Sequence, residues 1–167
     1  MKFLKPILSF VLIFSFFNFS YASGQMFMEK NPFIGKAAKD FTLDTLSAKK
    51  VNMTHFRDGK SAIVFFWATW CPHCREQLSS LNANRQEIEG KGIKIILVDI
   101  GENADQVRSY VEKNQVHLEV FLDEDQTSAE DYGLIGVPTF FLINKNGMTQ
   151  AVEHHLPENY EEILLKT

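Results

Sequence analysis

The chain has only two cysteines in 167 residues, so it cannot carry the disulfide framework that holds many small exported domains together, and its fold must rest on apolar packing. It has no basic run, and 21 Asp and Glu outnumber 17 Lys and Arg for a net charge of −4, which argues against nucleic acid as a partner. It has no second Cys-x-x-Cys and no well-spaced histidine pair, so a four-ligand structural zinc site is not indicated. His154 and His155 are adjacent and would point to opposite faces of a strand, while His55 and His117 stand alone. No internal repeat, low-complexity tract or long linker is visible.

The longest apolar stretch, from about Ile7 to Phe19, is broken by Ser9, Ser15 and Asn18 and is shorter than the roughly 20 residues a membrane span needs. Lys2 and Lys5 precede it, and small residues Ser20 and Ala22 follow in the positions expected before a signal-peptidase cut. Residues 1–22 therefore read as an export signal, with an uncleaved anchor as the alternative. An exported domain is therefore expected after the signal. Residues 23–31 read as a flexible segment and 32–167 as one domain.

Within that domain the periodicity alternates. "DFTLDT" and "KKVNMT" read as two short strands around a turn, and "SAIVFFWA" as a fully buried central strand. Cys74, Leu78, Leu81, Arg85 and Ile88 recur at helical spacing, predicting one helix that stops near Gly90 and Gly92. "IKIILVDI" is a second buried strand, Ala104, Val107, Tyr110 and Val111 mark a helix, "LEVFLD" a strand, and "TSAEDYG" a helical turn. "PTFFLIN" and "MTQAVEHH" flank the turn residues Lys145, Asn146 and Gly147 as a hairpin, and "LPENYEEILLK" closes as a helix. Strands alternating with helices predict an α/β fold, a mixed sheet covered on both faces.

Both cysteines lie in "WATWCPHCRE", with Pro72 and His73 between them. A metal site, a static staple and a redox couple compete as readings. A staple closing so short a loop removes little entropy from the unfolded chain, and the metal lacks ligands, which leaves redox. Proline is well placed in the first turn of a helix, so Cys71 falls at the helix N-terminus, where free N–H groups and the dipole favour a thiolate. Cys74, one turn on, continues the apolar stripe and should be the more buried. The asymmetry assigns Cys71 the attack and Cys74 the resolution of the mixed disulfide.

The chain resembles thioredoxin-fold thiol–disulfide oxidoreductases of the TlpA/ResA/CcmG (DsbE-like) family. The resemblance is carried by "FFWATWCPHCRE", the preceding "NPFIGKAAKDFTL", the insertion "ENADQVRSYVEKNQVHLEVFLDEDQTSAEDYG" and "GVPTFFLINKNG", and it runs from about Asn31 to Leu165. It implies a thioredoxin-like three-layer α/β/α fold with a mixed central sheet, an N-terminal β-hairpin extension and a central insertion. It implies that Cys71 and Cys74 are catalytic, that Trp70, Pro72 and His73 tune their redox chemistry, and that Val137, Pro138 and Thr139 bind substrate. By the same resemblance Pro138 follows a cis peptide bond and Val137 pairs with a client segment. Implied partners are protein thiols and disulfides and a membrane redox protein, with no cofactor, no metal and a monomeric state.

Two positions depart from that pattern. Thioredoxin carries a buried aspartate six residues before its first active-site cysteine, and ResA-like proteins a glutamate three residues after the second; here these are Phe65 and Gln77. Glu76 is one residue early, about 100° around the helix, and Glu102 lies just past a strand end bordering the site. Neither is assignable as proton acceptor for Cys74. The tetrapeptide matches the CPHC of DsbA, a strong oxidant near about −120 mV against about −270 mV for thioredoxin, whereas the scaffold resembles reductases, including those of cytochrome c maturation. The reductase reading is preferred because the scaffold governs docking; a DsbA-like oxidant is the alternative. Peroxiredoxins need Thr or Ser three residues before their cysteine, where Ala68 stands, and the related copper proteins separate their cysteines by three residues rather than two.

Overall fold

The computed structural model describes residues 31–166; the expected leader, 1–22, and all of the 23–31 segment except Asn31 lie outside the described residues. The sheet is organised around the apolar run that was expected at its centre. β3 (Ser61–Trp67) is buried at every position, because both of its faces are covered. It pairs in parallel with β4 (Ile93–Ile100) and antiparallel with β6 (Thr139–Ile143). β5 (Val120–Asp123) extends the parallel core, and the hairpin of β1 (Thr42–Thr45) and β2 (Lys50–Asn52) adds antiparallel to it. With β7 (Thr149–Glu153) on the other edge, the seven-stranded order is β2-β1-β5-β4-β3-β6-β7.

The pleat divides β3 between two cores. Ile63, Phe65 and Trp67 face a cluster shared with α2 (Pro72–Ala83), α3 (Arg85–Gly90), α4 (Ala104–Lys113) and α6 (Tyr160–Leu165). Ala62, Val64 and Phe66 face the opposite cluster, closed by Met53 and Phe56 of α1 (Met53–Arg57) and by Tyr132 after α5 (Thr127–Asp131). The result is the expected three-layer α/β/α arrangement with a mixed sheet, N-terminal hairpin and central insertion. Among the described residues no helix is long and apolar enough to cross a membrane.

The single helix expected from Cys74 to Ile88 is two helices. The break is at Asn84, the C-cap of α2, which leaves helical geometry (φ −95°, ψ 6°) while its backbone N–H and side-chain amide both donate to Ser80 O, at 3.1 and 3.0 Å. Leu78, Leu81 and Ile88 are nonetheless all buried in one core, so the apolar stripe carries across the break.

Candidate active site

β3 ends at Trp67, and the chain turns through Ala68, Thr69 and Trp70 into α2. Cys71 is the N-cap of that helix, with extended backbone, and Pro72 takes the first helical position, where its missing N–H is no loss. The Cys71 Sγ takes the place of a capping oxygen: it accepts from the Cys74 N–H at 3.2 Å. Cys71 and Cys74 are joined by a disulfide with Cα atoms 5.2 Å apart. Cys71 is 5 % exposed and Cys74 0 %, so a partner sulfur can reach only the first.

Across from the disulfide stands the loop before β6. The Val137–Pro138 bond is cis, and Val137 O lies 3.8 Å from the Cys71 Sγ, within reach of a reduced thiol but without a proton to accept from a disulfide sulfur. Thr139 is buried, its hydroxyl donating to Gly136 O at 2.7 Å. Trp70, next to Cys71 in sequence, and Ile135, in the loop before the cis bond, are exposed apolar side chains. A cleft of about 380 Å³ runs between the start of α2 and the cis-proline loop, lined by His73, Gln77, Ile135, Val137, Pro138 and His154, among others. Among the described residues no group of three or more His, Cys, Asp and Glu is placed to hold a metal ion.

The neighbours of the dithiol differ in what they do. His73 is exposed and its Nδ1 lies 3.6 Å from Glu76 Oε2, a surface pair turned along the helix. Gln77 is structural: its Oε1 accepts from Leu156 N at 3.3 Å and ties α2 to the segment after β7. Phe65 stacks on Phe140 with ring centroids 4.2 Å apart, so nothing ionisable stands at that position. Glu102 is 4 % exposed and accepts from Thr69 N at 2.5 Å, Thr69 Oγ1 at 2.6 Å and Gln106 Nε2 at 3.0 Å. It holds the turn that leads into Cys71.

Two residues escaped the sequence reading. His154 lies past the end of β7 rather than within it, and its Nδ1 is 2.9 Å from Pro138 O. A carbonyl only accepts, so Nδ1 carries the proton, and the imidazole braces the cis-proline loop. Asp99, near the end of β4, is 0 % exposed with no hydrogen-bond partner for either oxygen among the described residues. Burial, followed by the nearby Glu102 charge, pushes its carboxyl up to about 9. Its signal was a lone acid near the end of the largely apolar "IKIILVDI".

His154→Ala removes the brace. One net hydrogen bond contributes ~1 kcal/mol; if it holds the loop in its reactive position, the rate of disulfide exchange with a protein substrate should fall about fivefold, with a loss of stability no larger than that one bond. Stopped-flow tryptophan fluorescence measures it, and an unchanged rate contradicts the bracing role.

A Cys-x-x-Cys capping a helix at the mouth of a central strand, faced by a cis-proline loop, defines a thioredoxin-fold dithiol protein. Solved structures share that fold. The thioredoxin domain of a thiol-disulfide oxidoreductase from Bacteroides vulgatus superposes with a TM-score of 0.68 at 23% identity, over 78% of this chain and 94% of that one. StoA from Bacillus subtilis does so with a TM-score of 0.64 at 21% identity, over 79% and 98%. The sequence matches the AhpC/TSA family over residues 34–152, and it is 31% identical over 151 residues to the thiol-disulfide oxidoreductase ResA of Bacillus thuringiensis, covering 89% of this chain and 87% of that protein. The chain belongs to the AhpC/TSA family and, within it, to the thiol–disulfide oxidoreductases of the ResA type.

Proposed function

We propose that the protein is an exported reductase of protein disulfides, that residues 1–22 direct it to the periplasm, and that it works as a monomer recharged by a membrane redox partner. Apocytochrome c awaiting haem is the client class that the resemblance of the scaffold to the TlpA/ResA/CcmG family implies. The observation that carries the chemistry is the Cys71 Sγ at the helix N-cap, receiving the Cys74 N–H. That placement stabilises a thiolate on Cys71. The thiolate attacks one sulfur of a client disulfide and expels the other as a thiolate, leaving a mixed disulfide. Cys74 then loses its proton and attacks the Cys71 Sγ, and the second client sulfur leaves. Two electrons pass to the client, which takes up two protons, and the Cys71–Cys74 disulfide remains. Val137 and Pro138 hold the client segment against Cys71, Thr139 fixes their loop, and Trp70 offers apolar contact.

The orientation of His73 favours reduction over a DsbA-like role. A histidine that raised the potential would need to reach the Cys71 sulfur, whereas this one faces Glu76. His73→Ser should therefore shift the reduction potential by less than ~30 mV, the equivalent of one pKa unit. Equilibration with glutathione buffers measures the shift, and a larger fall restores the oxidant reading. The direction itself is tested by alkylating thiols in intact cells: a reductase is recovered mostly as the dithiol, an oxidant mostly as the disulfide.

A further inference from the structure

β4 brings an acid into the core on the dithiol's side of the sheet and gives its charge no partner among the described residues. Asp99 is in register with Trp67 on β3 and with Leu122 on β5. The Trp67 indole N–H is likewise buried without a partner among the described residues. Trp67 and Leu122 belong to the same cluster as Cys71 and Cys74. From α4, Val107 and Tyr110 close this face, the Tyr110 ring 5.6 Å from Trp67 and Arg75 acting on it from α2. On β1 the residue in register with Leu122 is Asp44, which is exposed. The charge that bears on Asp99 is that of Glu102. Two buried carboxylates that act on each other do not both ionise. Both Glu102 oxygens receive protein donors, from Thr69 and Gln106, whereas neither Asp99 oxygen does among the described residues, so the pair's one proton is placed on Asp99.

We propose that neutral Asp99 and ionised Glu102 act as a one-proton, one-charge pair that fixes the Thr69–Trp70 turn and thereby positions Cys71, which makes Asp99 a positioning residue for the attacking sulfur. A protonated Asp99 has an O–H to give to Glu102, which answers for its otherwise unpartnered oxygens. Ionising it sets a second negative charge against Glu102, loosens the grip on Thr69 and opposes a thiolate at the same end of the sheet. The proton on Asp99 is therefore part of what keeps Cys71 reactive.

The inference rests on Cys71 being the attacking sulfur, and its test separates the two claims. In the Cys74→Ala background only Cys71 can react, so its alkylation rate by iodoacetamide is followed from pH 6 to 10.5. The rate should rise as Cys71 ionises and show a second inflection near pH 9, where Asp99 releases its proton. Asp99→Asn keeps a donor without an ionisation, so it should retain the rate at pH 7 within about twofold and lose the inflection. Asp99→Leu, which has no donor, should react several-fold more slowly at pH 7. Persistence of the inflection in Asp99→Asn, or a wild-type rate in Asp99→Leu, overturns the pair. A Cys71 inert at every pH overturns the nucleophile assignment as well. Independently of any variant's folding, the carboxyl ¹³C shift of Asp99 in the unaltered protein should titrate above pH 7; titration below pH 6 also overturns it.

Discussion

Cys74→Ala should accumulate mixed disulfides with client proteins, and Cys71→Ala should accumulate few. The expected ratio is more than about tenfold, because a trapped intermediate persists only when the attacking thiol is intact and the resolving one is gone. The asymmetry comes from the helix. Cys71 caps it, receives the Cys74 N–H and keeps some exposure, while Cys74 is fully buried in the core it shares with Leu78. Gels run without reductant, after acid quenching and alkylation, read the result directly. Equal trapping by both variants would falsify the division of labour.

Asp99→Asn should stabilise the protein at neutral pH and flatten its response to alkali. The Asp99 carboxyl is pushed up to about 9 in the folded protein and sits near ~3.9 in an unfolded chain. Between those limits the folded state holds a proton that the unfolded state has released. Stability from this group is thus complete below pH ~4 and falls by ~1.4 kcal/mol per pH unit until Asp99 ionises in the fold. At pH 7 the accumulated loss is up to ~4 kcal/mol, a large share of the ~5–15 kcal/mol that holds a domain together. Asparagine bears no such loss. Urea unfolding at pH 5, 7 and 9 should show the variant gaining on the wild type as pH rises, and parallel curves contradict a buried neutral Asp99.

The parts of the fold that repeat locally were legible in the sequence. The seven buried positions of β3, the β6–β7 hairpin around Gly147 and the N-terminal hairpin all follow from runs, alternation and turn residues. The dithiol was legible for the same reason, since Cys71 and Cys74 are one helical turn apart and Pro72 marks the start. What depends on which strand lies beside which was not. Nothing local says that β5 inserts between β4 and β1, and so nothing local places Asp99 opposite Trp67 or within the field of Glu102. Glu102 could be put near the site, yet its bonds to Thr69 span 33 residues of sequence and appear only in the fold. His154 was not legible because its partner, the Pro138 carbonyl, lies 16 residues away in sequence. Asn84 hid the helix break, being compatible with a helix interior until its side chain turns back on Ser80.

The central claim is that the Cys71–Cys74 pair passes two electrons to a protein disulfide. Mixing the reduced protein with an oxidised protein substrate, quenching in acid and weighing the alkylated products by mass spectrometry tests it most directly. One Cys71–Cys74 disulfide should form for every client disulfide opened, with two client thiols alkylated per event. A client that stays oxidised while Cys71 and Cys74 remain alkylatable thiols would contradict it.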